Sequence, residues 1–339
     1  MTDSHTARFE RHHAVATALA PLSDRELERI VEDAHPLGTS IGGSAMVLDI
    51  AGTRVFAKRV PLTDLERRPE HTRTTANLFD LPTFYQYRVG TSNFGVWREL
   101  AAHEMTTAWE LADRCNGFPL LHHWRILSRS HEPAPDLENI VADWDGSPAV
   151  RARLEAIAQA TASVVLFVEY VPQNLREWLS ARAALGEVAV EQACAMVDRE
   201  SQRIVSVMRA HDFLHLDPHF ANILTDGERL YFSDFGLATS RQFVLSEEER
   251  RFFDRHISYD ACVVATELVN WLVTAFAGRR LDEVAHENFL QAPPQLPAFA
   301  AAIFERHART ALVLNEFYRH LRVSKTTPYP DELVDVELS

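Results

Sequence analysis

The chain of 339 residues predicts an α+β fold in two lobes, an N-lobe built mainly from an antiparallel sheet and a mainly helical C-lobe. Three observations predict it. Short alternating apolar runs broken by glycine crowd the first half, in LGTSIGGSAMVLDIAGTRVFAKRV, GFPLLHHWRIL and VVLFVEYV. Long helical patterns fill the second half, in EQACAMVDRESQRIVSVMRAHDFL and YDACVVATELVNWLVTAFAG, the latter apolar nearly all round and so expected to be buried. Between them lies a polar stretch, His215 to Gly236, HLDPHFANILTDGERLYFSDFG.

The elements follow in order. Residues 1–30 predict a helical extension, with Ser23 as the N-cap of a second helical run, SDRELERIVEDA. The N-lobe is expected over 31–168, with a turn at Gly52 and Lys58 on a strand. The segment 61–95 mixes prolines, charges and aromatics and reads as an insertion, ordered in part by Phe79, Phe84, Tyr85 and Tyr87. Val96 to about Arg114 is helical by period, and a polar helical stretch lies near 148–160. The character changes at a seam over 169–173, the expected hinge. A C-lobe over 174–325 follows, with PPQLP at 293–297 ahead of a helix around 298–322. The acidic, proline-containing segment 326–339 has the composition of a mobile tail.

Composition narrows the function. Hydrophobic residues make up 46%, ample for a packed core, and the net charge of −14 argues against a nucleic-acid binder or an anionic membrane surface. The acidity mildly favours a cationic substrate, or serves solubility alone. Cys115, Cys194 and Cys262 are far apart and odd in number, which predicts buried free thiols rather than a disulfide framework. The first thirty residues lack a secretory pattern, and no stretch of about 18 apolar residues stands out, so a cytoplasmic chain without a membrane span is expected.

The polar stretch carries the chemistry. It holds His-x-Asp, Asn222 five residues after Asp217, and Asp234-Phe235-Gly236 twelve residues after Asn222. Asp217 can accept a proton from a hydroxyl, and Asn222 with Asp234 offers oxygen donors of the kind a hard cation takes. The run ILTDGERLYFS reads as two strands joined at Asp226-Gly227, which returns Asn222 and Asp234 to one mouth. His215 is expected to pack within the loop. His219, two residues after Asp217, either faces the phosphate or is structural. The pairs His12-His13 and His122-His123 lack further ligands at metal spacing and read as structural.

Of 34 basic residues only Lys58 and Lys325 are lysines, which draws attention to Lys58. It can pair phosphates; a surface lysine at a strand edge is the alternative. The loop of Gly38, Gly42 and Gly43 lets backbone N–H groups approach phosphate, with Ser44 adding a hydroxyl, or it is a plain hairpin turn. A lysine so placed needs a carboxylate. In VWRELAAHEMTTAWELADR the expected apolar face is Trp97, Ala101, Glu104, Ala108 and Leu111, with Glu99, His103, Thr106 and Glu110 on the polar side. An acid within the apolar stripe must be paired, which selects Glu104.

On HLDPHFAN and SDFG, and more weakly on VFAK, the chain resembles the protein-kinase-like superfamily over roughly residues 36–280, and its substrate-side features are similar to those of aminoglycoside-type antibiotic phosphotransferases. The resemblance implies ATP at the hinge, with backbone groups of Glu169 and Val171 reaching adenine, and Mg2+ as the metal. Leu216 stands where protein kinases usually carry Arg, His219 where they usually carry Lys, and no Ala-Pro-Glu follows. Asp-Phe-Gly itself is more typical of protein kinases. Phe56 stands where a small residue normally meets adenine, so the pocket is reshaped or the strand register is one residue off. The implied function is an ATP- and magnesium-dependent phosphotransferase acting on a small-molecule hydroxyl, an antibiotic or related natural product. A protein serine/threonine kinase is the alternative, and a pseudokinase binding module the third reading.

Overall fold

The computed structural model describes residues 2–40, 43–87, 93–113, 115–128, 137–334 and 336. It is α+β, with eleven α-helices and a five-stranded antiparallel sheet among the described residues. The chain divides into two compact units. The first is Met1–Val171 with Phe235–Ala238 and Phe243–Ser246; the second is Pro172–Asp234, Thr239–Gln242 and Glu247–Ser339. The division after Val171 falls within the seam expected at 169–173.

The first unit runs α1 (Thr2–Leu19), α2 (Asp24–Glu32), β1 (His35–Ser40), β2 (Gly43–Ile50), β3 (Thr53–Leu62), α3 (Val96–Asp113), β4 (Leu121–Ser128), α4 (Leu137–Asp143), α5 (Pro148–Gln159) and β5 (Ala162–Glu169). The sheet order is β1-β2-β3-β5-β4. Side chains alternate across it. Val55 and Ala57 join Val15, Leu19, Leu27 and Val31 of α1 and α2 in one core. Val60 and Leu62, with Leu166 and Val168 of β5, join Val96, Trp97 and Leu100 of α3 in another. Phe56 packs on this second core. It thus lies on the face of β3 that Lys58 shares by the two-residue period, and the strand register stands. Ser23 caps α2 reciprocally with Glu26.

The insertion is ordered by a cluster of its own. Leu81, Tyr85 and Phe94 pack with Val141, Trp144, Val150 and Leu154, and Phe79 and Phe84 lie against them. The Tyr85 and Trp144 rings are 4.7 Å apart. Half of this cluster comes from α4 and α5, so the insertion is covered by elements more than forty residues downstream.

The second unit holds β6 (Gln173–Asn174), α6 (Leu175–Ala183), α7 (Glu187–Ala210), β7 (Phe213–Leu214), β8 (Ile223–Thr225), β9 (Leu230–Phe232), β10 (Thr239–Ser240), α8 (Glu247–Arg255), α9 (Tyr259–Ala277), α10 (Glu283–Gln291) and α11 (Ala298–Val323). Helix α9 packs against α7 and α11. By length and composition α9 is apolar enough to cross a membrane, which the sequence reading passed over; 56% of its apolar window is buried inside the fold.

One further expectation is corrected. The β8–β9 connection is a four-residue loop rather than a two-residue turn, because Thr225 pairs with Leu230. Asp226 closes it by accepting the N–H groups of Glu228 and Arg229 at 2.9 and 2.8 Å, with Gly227 at φ +95°. Through residue 334 the C-terminal segment, whose composition suggests a mobile tail, packs against residues 255–258 of the second unit. Tyr329 and Leu333 are buried, Arg255 donates to the Tyr329 carbonyl at 2.8 Å, and Ser258 donates to the Leu333 carbonyl. Two apolar side chains outweigh the polar composition around them.

Trp144→Ala is expected to cost about 3–5 kcal/mol in denaturant unfolding, since a large buried ring leaves a cavity. Proteolytic cuts should appear first in residues 64–87. A variant within about 1 kcal/mol of the parent, with an unchanged digest, would contradict this account of the insertion.

Candidate functional site

In the second unit a short strand pair, β7 with β10, delivers the chain to His215. The next residue, Leu216, has φ +64°, a left-handed conformation that costs a non-glycine residue about 1 kcal/mol or more. Asp260, in the first turn of α9, holds it there. Its carboxylate accepts the N–H of His215 at 2.7 Å and that of Leu216 at 2.8 Å. Burial pushes the Asp260 carboxyl up to about 6, and the two N–H bonds oppose the shift. The Leu216 side chain is fully buried, so the strained backbone places an apolar group inward.

His215 is buried. It takes the Asp217 N–H on Nδ1 at 3.3 Å, so Nε2 carries the proton and donates to the Ser233 carbonyl at 2.9 Å. Burial pulls its imidazole down to about 4. The expected structural role for His215 agrees with these bonds. Asn222 donates Nδ2 to the Asp217 carbonyl at 3.1 Å and to its carboxylate at 3.0 Å. His219 stands with Nε2 3.7 Å from the Asp217 carboxylate, while its Nδ1 accepts the Ala221 N–H at 3.2 Å. Ser233 donates its N–H and its hydroxyl to the Asn222 carbonyl at 2.9 and 2.7 Å. Asp234 follows at φ +63°. Asp217, Asn222 and the residue before Asp234 are thus tied by direct hydrogen bonds.

Among the described residues no three His, Cys, Asp or Glu side chains form a metal-binding group. Asn222 gives its nitrogen to Asp217, which turns its amide oxygen the other way. That oxygen and the Asp234 carboxylate are hard donors of the type magnesium takes alongside water and phosphate oxygens. The donor set fits the expected Mg2+.

In the first unit Lys58 Nζ lies 2.6 Å from Glu99, whose carboxylate is fully buried. This corrects the choice of Glu104, which is partly exposed and pairs with Arg73. The reason is that α3 buries its polar stripe. Glu99, His103, Thr106 and Glu110 are all buried, whereas Ala108 and Leu111 of the supposed apolar face are exposed. The stripe survives burial because its acids are paired. Asn93 donates to Glu99 at 3.4 Å, Arg153 donates to Asn93 at 2.8 Å, and Arg153 pairs with Glu66 at 2.9 Å. Phe235, which belongs to this unit, packs edge-on against His103 with centroids 4.8 Å apart, and Gly236 accepts the Phe94 N–H at 2.9 Å.

Gly42 lies outside the described residues. Gly43 opens β2, and a Cβ there would stand 2.1 Å from the Arg59 carbonyl oxygen, so close strand packing requires the glycine. Ser44 pairs in register with Arg59, next to Lys58. Glu169 has its N–H committed to the Leu120 carbonyl at 2.8 Å, so that N–H is taken; Val171 ends the main segment of the unit. Sequence reasoning missed Glu99 and Asp260. Asp260 was signalled by a lone acid opening an apolar helix, and Glu99 by the regular spacing of 99, 103, 106 and 110. No family model matches the chain, and no curated protein matches it in sequence.

Glu99→Ala should cost about 3 kcal/mol by stranding a largely buried ammonium, and Glu104→Ala less than about 1 kcal/mol; equal losses in thermal melts would refute the pairing. A second expectation concerns acid. The folded His215 titrates near 4 and the unfolded one near 6.5. Its contribution is therefore present above 6.5 and lost as pH falls through about 4. The slope is at most about 1.4 kcal/mol per pH unit. Asp260, raised to about 6, works in the opposite sense, favouring the folded state as pH falls below 6. In denaturant titrations between pH 6.5 and 4.5, His215→Gln should show a shallower loss of stability than the parent, and parallel curves would exclude the buried neutral imidazole.

Proposed function

We propose that the protein is an ATP- and magnesium-dependent phosphotransferase of the protein-kinase-like type, acting on a hydroxyl of a small molecule. The observation that carries this reading is the bond from Asn222 to the Asp217 carboxylate, on a hairpin whose other strand leads directly into Asp234. A lone acid has many uses. An acid oriented by an amide, with a second acid one residue beyond the strand residue bonded to that asparagine's backbone, is in keeping with what phosphoryl transfer needs. The sheet order and the placement of Lys58 on the central strand β3, paired with an acid of α3, add support for the bilobal fold.

In this reading Asp217 orients the acceptor hydroxyl and takes its proton as the hydroxyl oxygen bonds the γ-phosphorus and the bond from that phosphorus to the departing ADP breaks. Asn222 holds the Asp217 carboxylate in place through Nδ2. Asn222 and Asp234 would hold the magnesium, which would neutralise phosphate charge. Lys58, kept extended by Glu99, meets the nucleotide phosphates. His219 takes the position beside Asp217 where protein kinases usually carry lysine. Small-molecule acceptors are favoured over proteins because Leu216 is buried and cannot read a phosphorylated segment. Asp-Phe-Gly favours the protein-kinase alternative, and the assay separates the two.

Incubation with Mg-ATP and a panel of hydroxylated antibiotics, read by mass spectrometry, should show the gain of one phosphoryl group on an acceptor. Labelled protein bands from a lysate in place of that product would favour a protein kinase. Asp217→Ala should lower transfer by about 10²–10⁴-fold while Mg-ATP still binds. Near-normal turnover in that variant would dismiss the assignment.

A further inference from the structure

Helix α1 meets the sheet in two ways. Val15 and Leu19 enter the apolar core beside Ala57 and Phe167. Arg8 and His12, earlier on the same helical face, are polar. The Arg8 side chain is 3% exposed, and its guanidinium is shared by three acceptors. It donates from Nε and Nη2 to the Glu169 carboxylate at 2.7–3.0 Å, from Nη1 to Glu110 at 2.8 Å and from Nη2 to the Phe118 carbonyl at 2.6 Å. His12 meets His122 of β4 at 2.9 Å between Nδ1 atoms.

The two carboxylates belong to different elements. Glu169 ends β5 and also accepts the Leu120 N–H at 3.2 Å. Glu110 lies on α3, three turns after Glu99, and accepts the N–H groups of Asn116, Gly117 and Phe118 at 2.6–3.1 Å. An apolar contact would suffice to dock α1. A buried guanidinium bridging two acids is a costlier device, and what it adds is a fixed geometry between the acids.

We propose that Arg8 is a positioning residue for the nucleotide: it locks the end of β5 to the helix that carries Glu99, so α1 sets the distance between the base-facing strand end and the lysine–glutamate pair. The proposal rests on the phosphotransferase reading and names a part of the first unit that the reading does not require. All the groups involved lie in that unit.

The test compares the Kd for Mg-ATP, by calorimetry, with the melting temperature in four proteins: parent, Arg8→Ala, Arg8→Lys and Val15→Ala. Misplacement of the strand end should raise the Kd about tenfold or more in Arg8→Ala. Arg8→Lys keeps a charge but cannot serve three acceptors, and should fall between. Val15→Ala should lower the melting temperature and leave the Kd within twofold. A Kd unchanged in Arg8→Ala, or raised equally in Val15→Ala, overturns the proposal. Should Arg8→Ala fail to fold, Arg8→Lys is judged on the same two outcomes. A parent that binds no Mg-ATP removes the phosphotransferase reading and this proposal together; a parent that binds, with Arg8 variants that bind equally well, removes only the positioning role.

Discussion

Asp260 sits where water cannot reach it, and two backbone N–H groups are its solvation. Everything in the second-unit site hangs from that contact. Without the carboxylate, the left-handed backbone at Leu216 would lose its two anchoring bonds, and the loop would be held only by the bonds that join His215 to Ser233 and Asn222 to Asp217. The bonds to a charged acceptor are roughly twice as strong as neutral ones, and two of them suffice to offset a backbone strain of a few kcal/mol. The polar residues proposed to act on substrate are thus held by a residue that touches none of it.

The first unit uses the same device on a larger scale. Helix α3 presents a polar stripe inward, and each acid on it is matched: Glu99 by Lys58, Glu110 by Arg8 and by three N–H groups. Arg153, fully buried, links Glu66 to Asn93 and so to Glu99. Such networks are worth little when half satisfied and much when complete. They give the unit its specific geometry, whereas the apolar cores on the two sheet faces supply most of its stability.

Much of the fold was legible in the sequence because its main elements obey simple periods. The alternation in 37–60 and the apolar run of α9 announced themselves. So did the polar signature, because Asp217, Asn222 and Asp234 lie close along the chain and their spacing alone implies the hairpin. The partner of Lys58 was not legible, since amphipathic reasoning assigns the apolar side of a helix to the interior and cannot foresee a buried charged side whose counter-charges come from distant strands. Arg8 was illegible for the same reason: its partners lie 102 and 161 residues away. The insertion was half legible, its aromatics naming the cluster but not α4 and α5, which complete it.

Gly43 stands with its α-carbon against the Arg59 carbonyl, one residue from Lys58 in the facing strand. Hairpin tips are ordinarily where a lineage can tinker without consequence. Here a single added methyl would wedge two strands apart one residue along from Lys58, so the position has an alphabet of one letter. Any attempt to retune this hairpin by mutagenesis or grafting has to carry that letter across unchanged.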